Sequence, residues 1–235
     1  MNTRIRHIWI QNIHMAIRVG VHVSTNSDSY QAGYEVGVKG CEQIGTNKPN
    51  LVLLFASTYF DQKKILAGVQ EACKGALIIG CSSHGEILQD TVRTKSVVAM
   101  LIASDTLIST AGAAIDGDSS GALGTQLANY IQTNAKAAIE TCLLFQDGLR
   151  LNGSAVLQGM QQVFKGSIPI YGAAAGDDFA FHATYQYAGN QVLQSGIVGC
   201  GLSGIAHGIG AEHGWKPIGL PVHVTRATGA IVHEI

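Results

Sequence analysis

The segment Gly80-Cys81-Ser82-Ser83-His84-Gly85-Glu86 places a thiol, two hydroxyls and an imidazole between two glycines, with a carboxylate directly after them. A cysteine or serine beside a histidine can act as nucleophile and base, so Cys81 or Ser82 defines a hydrolase reading. That chemistry requires hydrogen-bond reach and a third group to orient the base, whereas these side chains are neighbours on one turn. The surroundings are not Gly-x-Ser-x-Gly either. A related loop, Ala173-Ala174-Ala175-Gly176-Asp177-Asp178, has no thiol, hydroxyl or imidazole. Glycine loops after strands present backbone N–H groups that suit carboxylates and other anions. The favoured chemistry is therefore ligand contact without catalysis. The candidate contacts are Ser82, Ser83, His84, Gly85, Glu86, Ala174, Gly176, Asp177 and Asp178. Asp177 and Asp178 could meet a ligand ammonium or cap a turn, and both readings stay open.

Nine histidines invite a metal or haem reading. His207 and His213, if on one strand, lie about 20 Å apart at ~3.3 Å per residue and cannot share a zinc ion. His223 and His233 could face each other across a terminal hairpin, but two ligands leave a zinc site incomplete. The expectation is no metal. Haem needs one axial histidine and an apolar cavity, and His22, His84, His182 and His207 are unranked candidates.

Two glycine loops imply two similar halves, and the chain repeats itself. Leu53-Leu54-Phe55, Ile65-Leu66-Ala67-Gly68-Val69-Gln70, Lys74-Gly75, Gly80 and Gly85 recur as Leu143-Leu144-Phe145, Val156-Leu157-Gln158-Gly159-Met160-Gln161, Lys165-Gly166, Gly172 and Gly176. The offset stays between 90 and 92. Val97–Ser104 resembles Ile197–Gly204 at an offset of 100. Two copies are too few for a solenoid. They read as one duplicated domain, with repeats at about 51–110 and 141–214 and a boundary in the loop 116–121.

The pattern predicts a strand near 18–24, a helix at 29–44 and then strand 51–56, helix 61–73 and strand 76–80, a βαβ unit. Continuous apolar runs indicate strands covered on both faces. Segments 97–103 and 106–111 read as an antiparallel pair. The second half repeats the order with helix 121–135, strand 141–146, helix 154–164 and strand 168–172. Strands follow at 185–187, 191–204 and 205–214, with a hairpin over 222–235. The fold class is α/β: duplicated βαβ-containing repeats forming mixed sheets flanked by helices, in a four-layer sandwich or one continuous sheet.

Composition narrows the function. The chain has 235 residues, 46% of them apolar and 13% charged. Its 15 basic and 16 acidic side chains create no field to attract nucleic acid or an anionic membrane. The five cysteines, Cys41, Cys73, Cys81, Cys142 and Cys200, are odd in number, lack CxxC spacing and sit in apolar surroundings. That favours a reducing compartment. No apolar run reaches the ~18 residues needed to span a bilayer. The expectation is a cytoplasmic protein that meets neither nucleic acid nor membrane.

Several passages together resemble the FIST family of sensory domains. They are Gly20-Val21-His22-Val23-Ser24-Thr25-Asn26 with Ala32-Gly33, Leu51–Ser57, Ile79–Ile87 and Gly172–Asp177. His213–Gly219 and Val224-Thr225-Arg226-Ala227 complete the likeness. The resemblance assigns 1–220 to an N-terminal-like ligand-binding part and 221–235 to the start of a truncated C-terminal-like part. One departure stands out, since Ser83-His84 replace a usual Thr-Ala in the glycine loop. The resemblance implies bacterial signal transduction and a small-molecule ligand such as an amino acid. It also implies an alternative, a haem-binding nitric oxide sensor partnering a histidine kinase, and more broadly a kinase, chemoreceptor or other signalling partner.

Overall fold

Each helix begins where a short polar side chain can accept a hydrogen bond from an otherwise unpartnered N–H of the first turn. Asp28 accepts from the Gln31 N–H and Asp61 from those of Lys63 and Lys64, while Ser119 and Asn152 cap in the same way through Ala122 and Ala155. The computed structural model describes residues 17–235 apart from 47, 116, 118, 209, 211–213, 229 and 230. The first unit comprises β1 (Ile17–Ser24), α1 (Ser29–Ile44), β2 (Leu51–Ser57), α2 (Gln62–Ala72), β3 (Leu77–Ser83), β4 (Glu86–Leu88), β5 (Thr91–Arg93) and β6 (Val97–Ser104). The second comprises β7 (Ile108–Ala114), α3 (Ser120–Asn134), β8 (Thr141–Asp147), α4 (Gly153–Phe164), β9 (Ile170–Ala175), β10 (Tyr185–Ala188), β11 (Gln191–Gln194) and β12 (Ile197–Ser203). A hairpin, β13 (Arg226–Thr228) and β14 (Ile231–Glu234), follows.

The duplication is visible in the topology. The first sheet runs β1-β6-β2-β3 and the second β7-β12-β8-β9, the same order in equivalent strands. In both, only the βαβ pair is parallel, β2 with β3 and β8 with β9. One difference follows: β10 and β11 of the second unit extend the first sheet beyond β3, whereas β4 and β5 form a separate two-stranded piece.

Three apolar clusters define four layers. Helices α1 and α2 cover the first sheet through Val36, Leu66, Val69, Ile78 and Leu101. Helices α3 and α4 cover the second through Leu127, Ile131, Val156, Met160 and Phe164. Between the sheets lie Ile79, Cys81, Phe145, Val198 and Cys200. Each large side chain removed from water there contributes roughly 1.5–3 kcal/mol. The equivalent rings of Phe55 and Phe145 meet edge to face between the sheets at 5.3 Å. Close helix approach uses glycine in both units. A Cβ on Gly33 would strike the Ile65 carbonyl and one on Gly68 the Tyr30 carbonyl, while Gly124 and Gly159 would strike those of Val156 and Gly121.

The α/β four-layer expectation holds, and several local expectations change. Segments 97–103 and 106–111 are strands but not partners. β6 already lies between β1 and β2, so no edge is free, and the chain crosses to the other sheet, where β7 pairs β12. The units therefore meet near Asp105, earlier than the loop 116–121, of which 116 and 118 lie outside the described residues. Each unit also includes the strand and helix ahead of the expected repeats at 51–110 and 141–214. The stretch 191–204 is two strands in different sheets, broken at Ser195, whose φ is 65°. No strand occupies the described part of 205–214, and the rest of it, His213 included, lies outside the described residues. The final hairpin begins at Arg226, after His223, and the His233 Nε2 lies 3.0 Å from the Thr228 hydroxyl.

Candidate functional site

The parallel strands β2 and β3 end side by side at Ser57 and Ser83, and loops beyond the carboxyl ends of parallel strands are where α/β folds hold ligands. The loop after β9, from the second unit, meets them there. Ser82 belongs to β3 and is fully buried; its hydroxyl donates to the Gly176 carbonyl at 2.7 Å and accepts from the Tyr185 N–H at 2.9 Å. The Gly176 N–H returns a bond to the Ser82 carbonyl at 3.0 Å. A Cβ on residue 176 would sit 3.3 Å from the His84 nitrogen, so glycine lets the two loops touch.

Asp178 is the second tie. One carboxylate oxygen accepts from the Ser57 hydroxyl at 2.7 Å, the Thr58 N–H at 2.9 Å and the Thr58 hydroxyl at 2.8 Å. The other lies 3.5 Å from His84 Nδ1. Burial alone would raise this carboxyl, but the bonds from Ser57 and Thr58, with His84 behind them, outweigh it and hold the group below its ordinary value. Asp177 is buried and accepts from the His182 N–H at 2.6 Å and the Ala183 N–H at 3.2 Å, which makes it a turn cap.

Other predicted contacts point inward or elsewhere. The Ser83 hydroxyl donates to Glu86 at 2.7 Å, and Ser96 donates to the other carboxylate oxygen. Burial raises the Glu86 carboxyl, and these hydroxyl bonds only partly offset the rise. Gly85, with φ of 91°, turns the chain into β4. Ala174 lies exposed on β9 and lines a cleft with Leu144 and Leu157. Cys81 is 2% exposed and burial pushes its thiol up to about 12. A buried, protonated thiol and a serine hydroxyl donating to a carbonyl are both poorly placed for attack.

Sequence reasoning missed the aromatic part. Phe179 and Phe181 are 71% and 75% exposed. The Phe179 ring lies 4.1 Å from the His84 ring and 6.4 Å from that of Phe181. Asp178, Phe179 and Phe181 have φ of 57°, 60° and 53°. For bulky side chains such backbone is strained, and strain gathers at ligand and switch sites. Next to Thr58, Lys95 Nζ stands 5.1 Å above the Tyr59 ring. Two signals could have found these residues: Ser57-Thr58-Tyr59 is the polar end of an apolar strand, and two phenylalanines flank Ala180 in an otherwise polar loop. Among the haem candidates, His84 faces Asp178 and His182 lies in the turn capped by Asp177. His22 lies 3.8 Å from Glu35 on the β1–α1 face, and His207 packs its ring 6.1 Å from Tyr171. Among the described residues no group of three metal-ligating side chains comes together, and no helix is long and apolar enough to cross a membrane.

The FIST N domain profile matches residues 50–235, most of the chain. The chain belongs to the FIST N domain family. The FIST domain is a sensory domain of signal transduction. An uncharacterised protein of Mycobacterium tuberculosis strain H37Rv is 29% identical to this FIST N domain over 223 residues, covering 93% of this chain and 56% of that protein. An uncharacterised protein of Mycobacterium bovis is 24% identical over 222 residues with the same coverage. The chain thus spans about half the length of the curated relatives it matches. Among solved structures, cyanuric acid hydrolase from A. caulinodans is similar with a TM-score of 0.42 and 8% identity, over 83% of this chain and 72% of that one. That likeness is too slight to bear on this chain's chemistry.

Proposed function

We propose that this FIST N domain is a non-catalytic sensory module that binds a small amino-acid-like molecule at the mouth formed by residues 57–59, 84–86 and 178–181. The observation that carries this reading is the joining of two units at one place. Ser82 with Gly176, and Asp178 with Ser57 and Thr58, tie the loops together while His84, Phe179 and Phe181 remain exposed. The aromatic faces offer apolar contact to a side chain, and the imidazole and loop N–H groups suit a carboxylate. A ligand touching both units favours one relative arrangement of them, and it signals only through that differential affinity. A histidine kinase, chemoreceptor or similar partner reads the arrangement. The free buried state of all five cysteines supports a reducing, cytoplasmic setting.

The test is a thermal-shift panel of the common amino acids. A hit raises the melting temperature with concentration, as mass action requires, and Phe179→Ala abolishes the rise. No response to any member of the panel overturns this ligand class.

A second reading rests on His84 itself. Its Nδ1 faces Asp178 and its ring adjoins Phe179, the polar and apolar partners that hold an axial imidazole. Haem supplied to the protein would then give a sharp Soret band lost in His84→Ala; a free-haem spectrum excludes it.

A further inference from the structure

The two units differ in the surroundings of their βαβ pair. In the first sheet, β10 lies antiparallel along the outer edge of β3, pairing Gln186, Tyr187 and Ala188 with Cys81, Gly80 and Ile79. The equivalent edge in the second sheet is that of β9 at Ala173, Gly172 and Tyr171, and among the described residues no strand pairs with it. An open edge of this kind is a template for strand addition. Beneath it lies a cleft of about 220 Å³ lined by Leu144, Gln146, Gly153, Leu157 and Ile170, among others. In the first unit the matching side chains include Leu54, Gln62, Leu66 and Ile78, and Tyr187 fills the space among them with its hydroxyl donating to Gln62. The cleft is therefore the Tyr187 position without its occupant. Gln146 Oε1 on its wall is buried and finds no hydrogen-bond partner among the described residues.

The chain also carries the matching donor. The hairpin β4–β5 stands in its unit where β10–β11 stands in the second. Both turn at a residue of positive φ, Gln89 at 56° and Gly189 at 60°, and Lys95 and Ser195 share the next such position. β4 lies against β1, β2 and β6 as β10 lies against β7, β8 and β12. Yet among the described residues β4–β5 extends no other sheet, and its apolar side chains Ile87 and Val92 are exposed, while Tyr187 and Val192 at the equivalent positions pack on a core.

We propose that β4–β5 of a second copy of this chain adds to the β9 edge, with Glu86, Ile87 and Leu88 opposite Ala173, Gly172 and Tyr171 and Ile87 entering the cleft. The contact continues between chains the one that β10 makes with β3 within a chain. Donor and acceptor are different surfaces, so the assembly is head-to-tail and either closes into a ring or grows.

Sedimentation equilibrium of the full chain tests this. Two variants separate the surfaces. Ala174→Pro blocks the acceptor, because proline is tolerated on an edge strand whose N–H faces solvent. Ile87→Asp blocks the donor at an exposed position. The wild type associates with rising concentration, each variant raises the dissociation constant by about tenfold or more, and an equimolar mixture of the two variants forms a dimer that grows no further. Circular dichroism confirms that each variant is folded; if Ala174→Pro is not, Ile87→Asp alone decides. A wild type that stays monomeric to its solubility limit overturns the proposal. So does association that Ile87→Asp leaves unchanged, and so does a monomer whose β9 amides resist hydrogen exchange because Arg226–Glu234 covers them.

Discussion

The hairpins β4–β5 and β10–β11 arise at the same point of the same repeat, and their environments are opposite. Tyr187 in β10 is fully buried, while Ile87 in β4 is 68% exposed. Local sequence makes both hairpins, but a neighbouring sheet decides which becomes core. The same contrast appears at their first residues: Gln186 accepts from the Gly196 N–H, whereas Glu86 at the matching position accepts from the Ser83 and Ser96 hydroxyls. Duplication has preserved topology and helix contacts while letting edges and polar contacts diverge.

The largest expected effect separates the hairpins. Tyr187→Ala should cost about 3–5 kcal/mol, the usual loss for a fully buried aromatic. Ile87→Ala in dilute protein should stay within about 0.5 kcal/mol, as for an exposed residue. Urea denaturation reads both, and equal losses would erase the distinction. Next come the helix crossings, where the units should agree. Gly33→Ala and Gly124→Ala each push a methyl group into a carbonyl of the facing helix, so each should cost about 1–3 kcal/mol. A cost at one position alone would break the equivalence.

Smaller effects concern the two carboxylates, whose signs are opposite. The folded-state pKa of Asp178 is below its ordinary 3.8, so its contribution is present above that value and is lost as pH falls through the lower folded value. Asp178→Asn should therefore flatten the acid limb of a melting-temperature profile. Glu86 is raised above its ordinary 4.5, so its contribution is present below that value and lost as pH rises through the folded pKa. Glu86→Gln, which copies the residue found at 186, should change stability at pH 7 by about 1 kcal/mol or less. Wild type should gain on the variant as the solution is acidified. A variant much less stable at neutral pH would mean that the Glu86 charge is required.

Much of the fold was legible because the signals are local. Asp28 before Gln31 marks a cap, the run from Leu51 marks a doubly covered strand, and Leu53–Phe55 with Gly68 marks the repeat. Pairing was less legible. Nothing within 97–111 reveals that β6 already has two partners, and nothing within 191–204 shows that Ser195 and Gly196 carry the chain from one sheet to another. The proposed ligand mouth was half legible. His84, Gly176 and Asp178 were expected, and they do come together. Ser57 and Thr58 were missed because their roles depend on a residue 120 positions away. Phe179 and Phe181 were missed because exposure and backbone strain are properties of the folded loop.

The most direct test is to titrate an amino acid that raises the melting temperature into isotopically labelled protein and follow its amide resonances. The two-unit mouth predicts shifts clustered at residues 57–59, 83–86 and 176–181, hence in both units at once. Shifts confined to one unit, or to the cleft beneath β9 around Leu144 and Leu157, would contradict it.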